Sequence, residues 1–180
     1  MMMQDPYRLD VVSIRLVKDA PILSKKKITE PEHAVELLGE VMCELDREVV
    51  CVLNLKSDGT PINCNFASMG AVDMALAEPR ELFKTAILSN AVSMILIHNH
   101  PSYDLSPSEH DISITDRILQ LSKLMGIMLL DHIIVGGDNK QYFSFREKKL
   151  IDYEPLRYEK DYNQLNFEGY AKVAETGRSR

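Results

Sequence analysis

A chain of 180 residues that is 45% hydrophobic and 27% charged holds enough apolar side chain for one globular domain with a real core, and too little length for two full domains. Its formal net charge of -6, from 27 acids against 21 bases, argues against the broad basic footprint that phosphate contacts require, so nucleic acid is not an expected direct partner over a large surface. No apolar run approaches bilayer-spanning length, the start MMMQDPYRLD lacks the basic-then-apolar layout of a signal peptide, and Cys43, Cys51 and Cys64 form no Cys-x-x-Cys pair; a cytoplasmic protein with buried, reduced thiols and no membrane partner is expected.

From Leu9 to Val17, Val12, Ile14 and Leu16 alternate with Ser13 and Arg15, which predicts a half-buried strand. Lys25-Lys26-Lys27 reads as a solvated turn. Thr29-Glu30-Pro31-Glu32 has capping-box logic and opens a helix ending near Asp46, with Ala34, Val35, Leu38, Val41, Met42 and Leu45 on one stripe. Glu48 to Leu55, EVVCVLNL, is rich in β-branched residues and predicts a buried strand, joined through the Ser57-Asp58-Gly59 turn to a partner at Pro61 to Phe66. Taken by itself, Glu48 is the solvated entrance of that strand. No element is assigned between Ala67 and Ala77.

Glu78-Pro79-Arg80-Glu81 begins a second helix with Leu82, Phe83, Ala86 and Ile87 inward, leading to the strand Val92 to His98. Strand, helix and strand with short links predict a βαβ-type crossover on a mixed sheet. A third helix is expected from Pro107 to Met125, with Ser106 as N-cap, Glu109 closing a capping box and Gly126 as C-cap. Met128 to Val135 and Gln141 to Phe145 are further strands about a Gly136-Gly137-Asp138-Asn139 turn. The expectation is an α/β fold, a mixed β-sheet flanked by helices, formed by residues 1–150 as one domain. Residues 151–180 then form a polar tail whose last ten or so residues are expected to be disordered.

Chemistry concentrates in Met94 to Asp111, MILIHNHPSYDLSPSEHD. Alternation along a strand puts His98 and His100 on one face and turns Asn99 away. On the helix that follows, Ser108 and Asp111 share a face that continues through Ile114, Ile118, Leu121 and Met125, so the acid points inward beside a hydroxyl. Two imidazoles and one carboxylate leave the fourth position of a tetrahedral Zn2+ open, which is the layout of a catalytic zinc whose water ionises near pH 7. Such a site also needs a carboxylate to move the proton and a donor for the oxyanion. Glu48 is the candidate for the first and Ser108 for the second. Helix capping alone is the other reading of Ser108.

The spacing His98-x-His100, seven residues, Ser108, two residues, Asp111 resembles the motif of the JAB/MPN+ (JAMM) metalloproteases. HNHPSYDLSPSEHDI, together with Pro79-Arg80-Glu81, Phe83-Lys84 and the DHIIVG that starts at Asp131, is similar to the bacterial RadC-type branch over about Glu36 to Leu150. The resemblance implies a sandwich like that of the cytidine deaminases, Zn2+ held by His98, His100 and Asp111, oxyanion support by Ser108, and proton transfer by Glu48, which occupies the place of the family's strand-leading glutamate. Glu44 and Glu81 stand as its substitutes. The implied reaction is zinc-dependent hydrolysis of a peptide or isopeptide bond in a protein or peptide substrate. A non-hydrolytic binding role in DNA repair or on a mobile element is the alternative.

Two departures matter. Tyr103 stands where that branch usually has Gly, a ring offered to substrate, and a helix-hairpin-helix region like that of longer RadC proteins is not expected within these 180 residues. A zinc deaminase would need His-x-Glu and Pro-Cys-x-x-Cys, and neither is present. An HNH nuclease is suggested only by the letters of His98-Asn99-His100, since its three residues are dispersed. His110 lies about 100° around the helix from Asp111 and is given no ligand role, while Asp131 and His132 are expected to be strand residues with a supporting role open to them.

Overall fold

The computed structural model describes residues 13, 15–69, 78–137 and 141–151. Along the chain it runs α1 (Pro31–Cys43), β1 (Val49–Leu55), β2 (Pro61–Met69), α2 (Pro79–Leu88), β3 (Ser93–His100), α3 (Glu109–Met125), β4 (Met128–Gly136) and β5 (Tyr142–Ser144). Every residue of β1 and β3 is buried, which demands a covering layer on both faces. On one face α1 covers Cys51, Leu53, Ile95, Ile97, Ile133 and Val135 with Ala34, Val35, Leu38 and Met42. On the other, Leu82, Phe83 and Ala86 of α2 and Ile114 and Ile118 of α3 close over Val50, Val52, Met94, Leu96 and Ile134. At about 1.5–3 kcal/mol for each fully buried aliphatic side chain, these two layers supply the main drive to fold.

The strand order is β2-β1-β3-β4-β5. β1 runs antiparallel to both β2 and β3, β3 is parallel to β4, and β5 returns antiparallel to β4. The mixed sheet expected from the sequence is present; the crossover expected at α2 joins β2 to β3 with β1 between them, and α3 makes the crossover between the parallel neighbours β3 and β4. The Ser57-Asp58-Gly59 turn needs its glycine: φ is 80° there, and a Cβ would stand 2.6 Å from the Ile28 carbonyl oxygen. Two of the three turn lysines are paired at the surface, Lys26 with Glu36 and Lys27 with Asp58, each at 2.6 Å.

Several boundaries differ from expectation, each for a physical reason. Of the strand expected from Leu9 to Val17, residues 9–12 and 14 lie outside the described residues; residues 15–17 are not in a strand, and Leu16 is 41% and Val17 90% exposed. No capping box opens α1: Thr29 spends its hydroxyl and N–H on His33 Nδ1, and the N-cap is Glu30 without a side-chain bond. α1 ends at Cys43 rather than near Asp46, and Val41 and Ile87 lie at the exposed margins of their helices. α3 begins two residues later than expected, with Ser108 rather than Ser106 as N-cap; the Ser106 N–H is held by Asp104 Oδ1 at 2.9 Å. Gly126 does cap α3 in the left-handed region, while Met125 is 48% exposed and not on the buried face. β2 extends to Met69, into the segment left without assignment. Residues 70–77, the tip of the Gly136-to-Asn139 turn and the tail expected from 152 onward lie outside the described residues.

Candidate metal centre

β3 delivers two imidazoles. His98 and His100 leave the sheet on the face that carries Met94 and Leu96, and Val50 of β1 pairs with His98. Glu48, two residues before Val50, therefore lies level with His100 on the same face.

α3 delivers the carboxylate through its cap. Ser108 Oγ accepts from the Asp111 N–H at 3.2 Å, and Asp111 Oδ2 accepts in return from the Ser108 N–H at 2.7 Å and from its hydroxyl at 2.6 Å. This box leaves Oδ1 facing His98 Nε2 at 3.2 Å, while His100 Nε2 is 3.5 Å from Oδ2. The two Nε2 atoms are 2.9 Å apart. One ligand atom from each of the three residues lies within 4.8 Å of the others, and all three residues are buried.

The chemistry of the donors fits a metal. His100 Nδ1 is 2.5 Å from the Asp104 carbonyl oxygen, which can only accept, so Nδ1 carries the hydrogen and Nε2 offers a lone pair to the cluster. Basic nitrogens and a carboxylate converging in this way could hold a cation, and two nitrogens with one oxygen are a donor set that suits zinc. Without an ion, protons on the imidazoles meet the same attraction for positive charge. Burial opposes the Asp111 charge, yet hydrogen bonds with His100 and His98, the His98 charge and the Ser108 hydroxyl outweigh it and hold the carboxyl well below the usual range. Burial lowers the pKa of His100, but Asp111 and the Asp104 carbonyl more than offset it, and the net direction is up.

The cluster forms the floor of a cavity of about 240 Å³. Its walls include Glu48, Ser108, His110 and Ile114. Of the three acids weighed from sequence, only Glu48 is there; Glu81 pairs with Lys84 at 2.6 Å on α2, and Glu44 is exposed at the end of α1. Ser108 lines the wall, with its hydrogen given to Asp111. Tyr103 lies outside the lining: its ring rests on Gly137, where a Cβ would come within 2.9 Å of Cδ1. Its φ of 65° explains why glycine suits that position.

Asn99 and Thr115 gain a place that sequence reasoning did not give them, and His132 takes the supporting role left open to it. Asn99, on the far face, accepts from the Val49 N–H at 2.8 Å and donates to the Leu45 and Arg47 carbonyls at 3.4 and 2.9 Å, so it clamps the residues on both sides of Glu48. His132 Nε2 lies 2.8 Å from His98 Nδ1, and its own Nδ1 is 2.6 Å from Thr115 Oγ1. The available signal was a polar residue in an apolar run: Thr115 on the inner stripe of α3 and His132 in β4. His110, set aside as a ligand, adds to the cavity wall with a buried Nε2 that has no hydrogen-bond partner among the described residues.

The model of the RadC-like JAB domain family matches residues 28–150. The UPF0758 protein of Syntrophomonas wolfei is 42% identical over 131 residues, which cover 71% of this chain and 55% of that protein. The UPF0758 protein of Desulforamulus reducens is 43% identical over 121 residues, 67% of this chain and 52% of its own length, and that of Clostridium tetani 40% over 124 residues, 69% and 54%. The chain thus spans about half the length of these curated relatives. No helix among the described residues is long and apolar enough to cross a membrane. All three candidate ligands, the cavity and the whole sheet fall within the matched segment, and the chain belongs to the RadC-like JAB domain family.

Proposed function

We propose that the chain is a zinc-dependent hydrolase of an amide bond, peptide or isopeptide, in a protein or peptide substrate. The observation that supports this reading is the convergence of His98, His100 and Asp111 on the floor of a cavity whose wall also carries Glu48. A zinc ion held there supplies Lewis acidity and a water that ionises near neutral pH. Glu48 takes the proton of the attacking water and hands it to the departing amine, which suits a half-buried carboxylate facing the cavity. Ser108 first orients Asp111; by turning its hydroxyl into the cavity it donates to the oxyanion of the tetrahedral intermediate. Val50, Leu96 and Ile114 add an apolar part to a lining that is otherwise polar, with Ser102, Asp104, Ser106 and His110 beside the ligands.

Metal analysis of purified protein should find one zinc per chain, and Asp111→Ala should carry almost none; equal zinc in both would remove the ligand assignment. Linear and isopeptide-linked peptides, screened beside a DNA-binding assay, separate a hydrolase from a binding module. Glu48→Gln should retain its zinc and lose about 100- to 10,000-fold in turnover, the range of a general acid–base. An unimpaired variant would reassign proton transfer to another group.

A further inference from the structure

His98 turns Nε2 to the cluster and Nδ1 to His132, and the buried residues behind it fix where its hydrogen sits. Thr115 Oγ1 carries one hydrogen and has two polar neighbours, the Asp111 carbonyl oxygen and His132 Nδ1. The carbonyl can only accept, so the hydroxyl donates to it, and His132 Nδ1 must donate to Thr115. His132 is 1% exposed, its ring lies 5.0 Å from that of Phe145 at an interplanar angle of 10°, and neither of its ring nitrogens is bonded to a carboxylate. A cationic ring there would be a buried charge without a counter-ion, so Nε2 is bare. That bare nitrogen, 2.8 Å from His98 Nδ1, can only accept.

We infer that His132, anchored by Thr115, is a positioning residue that holds His98 with its hydrogen on Nδ1, so that the Nε2 lone pair points at Asp111 and His100. The inference rests on the metal-site reading of those three residues for its functional meaning, but the hydrogen assignment stands on the protein alone. His100 receives the same service from a backbone carbonyl, that of Asp104. His98 depends on side chains for it, and the support is braced in turn. The Asp131 carboxylate is buried and accepts from the His132 N–H at 2.7 Å, the Arg146 N–H at 2.9 Å and the Ser144 hydroxyl at 2.6 Å, fastening β4 to the end of β5 beside Phe145. The path closes on itself, since Thr115 bonds the carbonyl of Asp111: the residue that sets one ligand's hydrogen also holds the helix turn that carries another.

The test uses the full chain, nitrogen-15 NMR of its imidazoles and zinc affinity by competition with a chromophoric chelator. In metal-free protein the hydrogen between His98 and His132 should sit on His98 Nδ1, with His132 protonated on Nδ1 and bare on Nε2. His132→Leu, which fills the space without accepting, should weaken zinc binding by about 10- to 100-fold, the usual cost of losing a ligand's hydrogen-bond partner. His132→Gln, able to accept from His98 through Oε1 and donate to Thr115 through Nε2, should recover most of that loss. Thr115→Val, nearly isosteric, should leave the fold intact and lower affinity in the same direction, which guards against misfolding of the leucine variant. A bare Nδ1 on His98 in the wild type overturns the inference, and so does a folded His132→Leu that binds zinc as tightly as the wild type. A wild type with His98 protonated on Nδ1 that takes up no zinc supports the hydrogen assignment and overturns the metal reading instead.

Discussion

Asn99 sits between the two histidines and does a different job from either. Its amide group makes three bonds to the backbone around Glu48, two of them at 2.8 and 2.9 Å, and Asn99 itself is buried. Removing the side chain strands the Val49 N–H in the core. An orphaned buried group costs about 1–3 kcal/mol, and the cavity left by the amide adds to it. Asn99→Ala should therefore lower unfolding stability by roughly 2–4 kcal/mol in denaturant titration, at the upper end of single-residue effects. Glu48 would lose its fixed backbone while His98, His100 and Asp111 kept their own supports. Turnover should accordingly fall at full zinc loading; a variant that lost zinc before it lost turnover would place Asn99 in support of the histidines rather than of Glu48.

The entry of α3 is where local sequence and tertiary structure compete. Ser106 and Ser108 each stand three residues before an acid, and local capping chemistry alone does not choose between them. Ser108 wins because its partner Asp111 can be buried against two imidazoles, whereas Glu109, the partner of Ser106, is exposed. Ser108→Ala removes the cap, at about 1 kcal/mol, and one hydrogen bond to Asp111 Oδ2. If the hydroxyl also serves the oxyanion, kcat should drop by about 100- to 1,000-fold while zinc is retained; a loss of turnover no larger than the loss of zinc occupancy would reduce Ser108 to a cap. The same contrast explains what the sequence made legible. The period-two spacing of His98 and His100 and the apolar runs of β1, β3 and β4 are local patterns, and they were readable. Of the Val12-to-Leu16 alternation only Ser13, Arg15 and Leu16 are described, and among the described residues no strand pairs with them, which is a non-local fact. Asn99, Thr115 and His132 act through partners 50, 17 and 34 residues away, at distances that no local period reveals.

At the scale of the whole molecule, the cluster joins parts of the chain that fold from different directions. His98 and His100 end a central strand, Asp111 opens α3, and through His132 the cluster reaches β4 and the Asp131-bound turn after β5. An ion bound by β3 and α3 together is present only when both are in place, so its binding free energy adds to folding free energy. At free zinc 100-fold above Kd the gain is about 2.7 kcal/mol. For a chain of this size, at roughly 2–4 °C per kcal/mol, that raises Tm by about 5–11 °C. Zinc that binds unfolded histidines and cysteines trims the gain, so the lower half of the range is the sharper expectation. Differential scanning calorimetry with zinc and with chelator should show this shift in the wild type and little or none in Asp111→Asn, which keeps the shape of the cap but offers a weaker ligand. Equal shifts in both proteins would mean that the stabilising ion binds elsewhere, and that the three residues on the cavity floor do not form the metal centre.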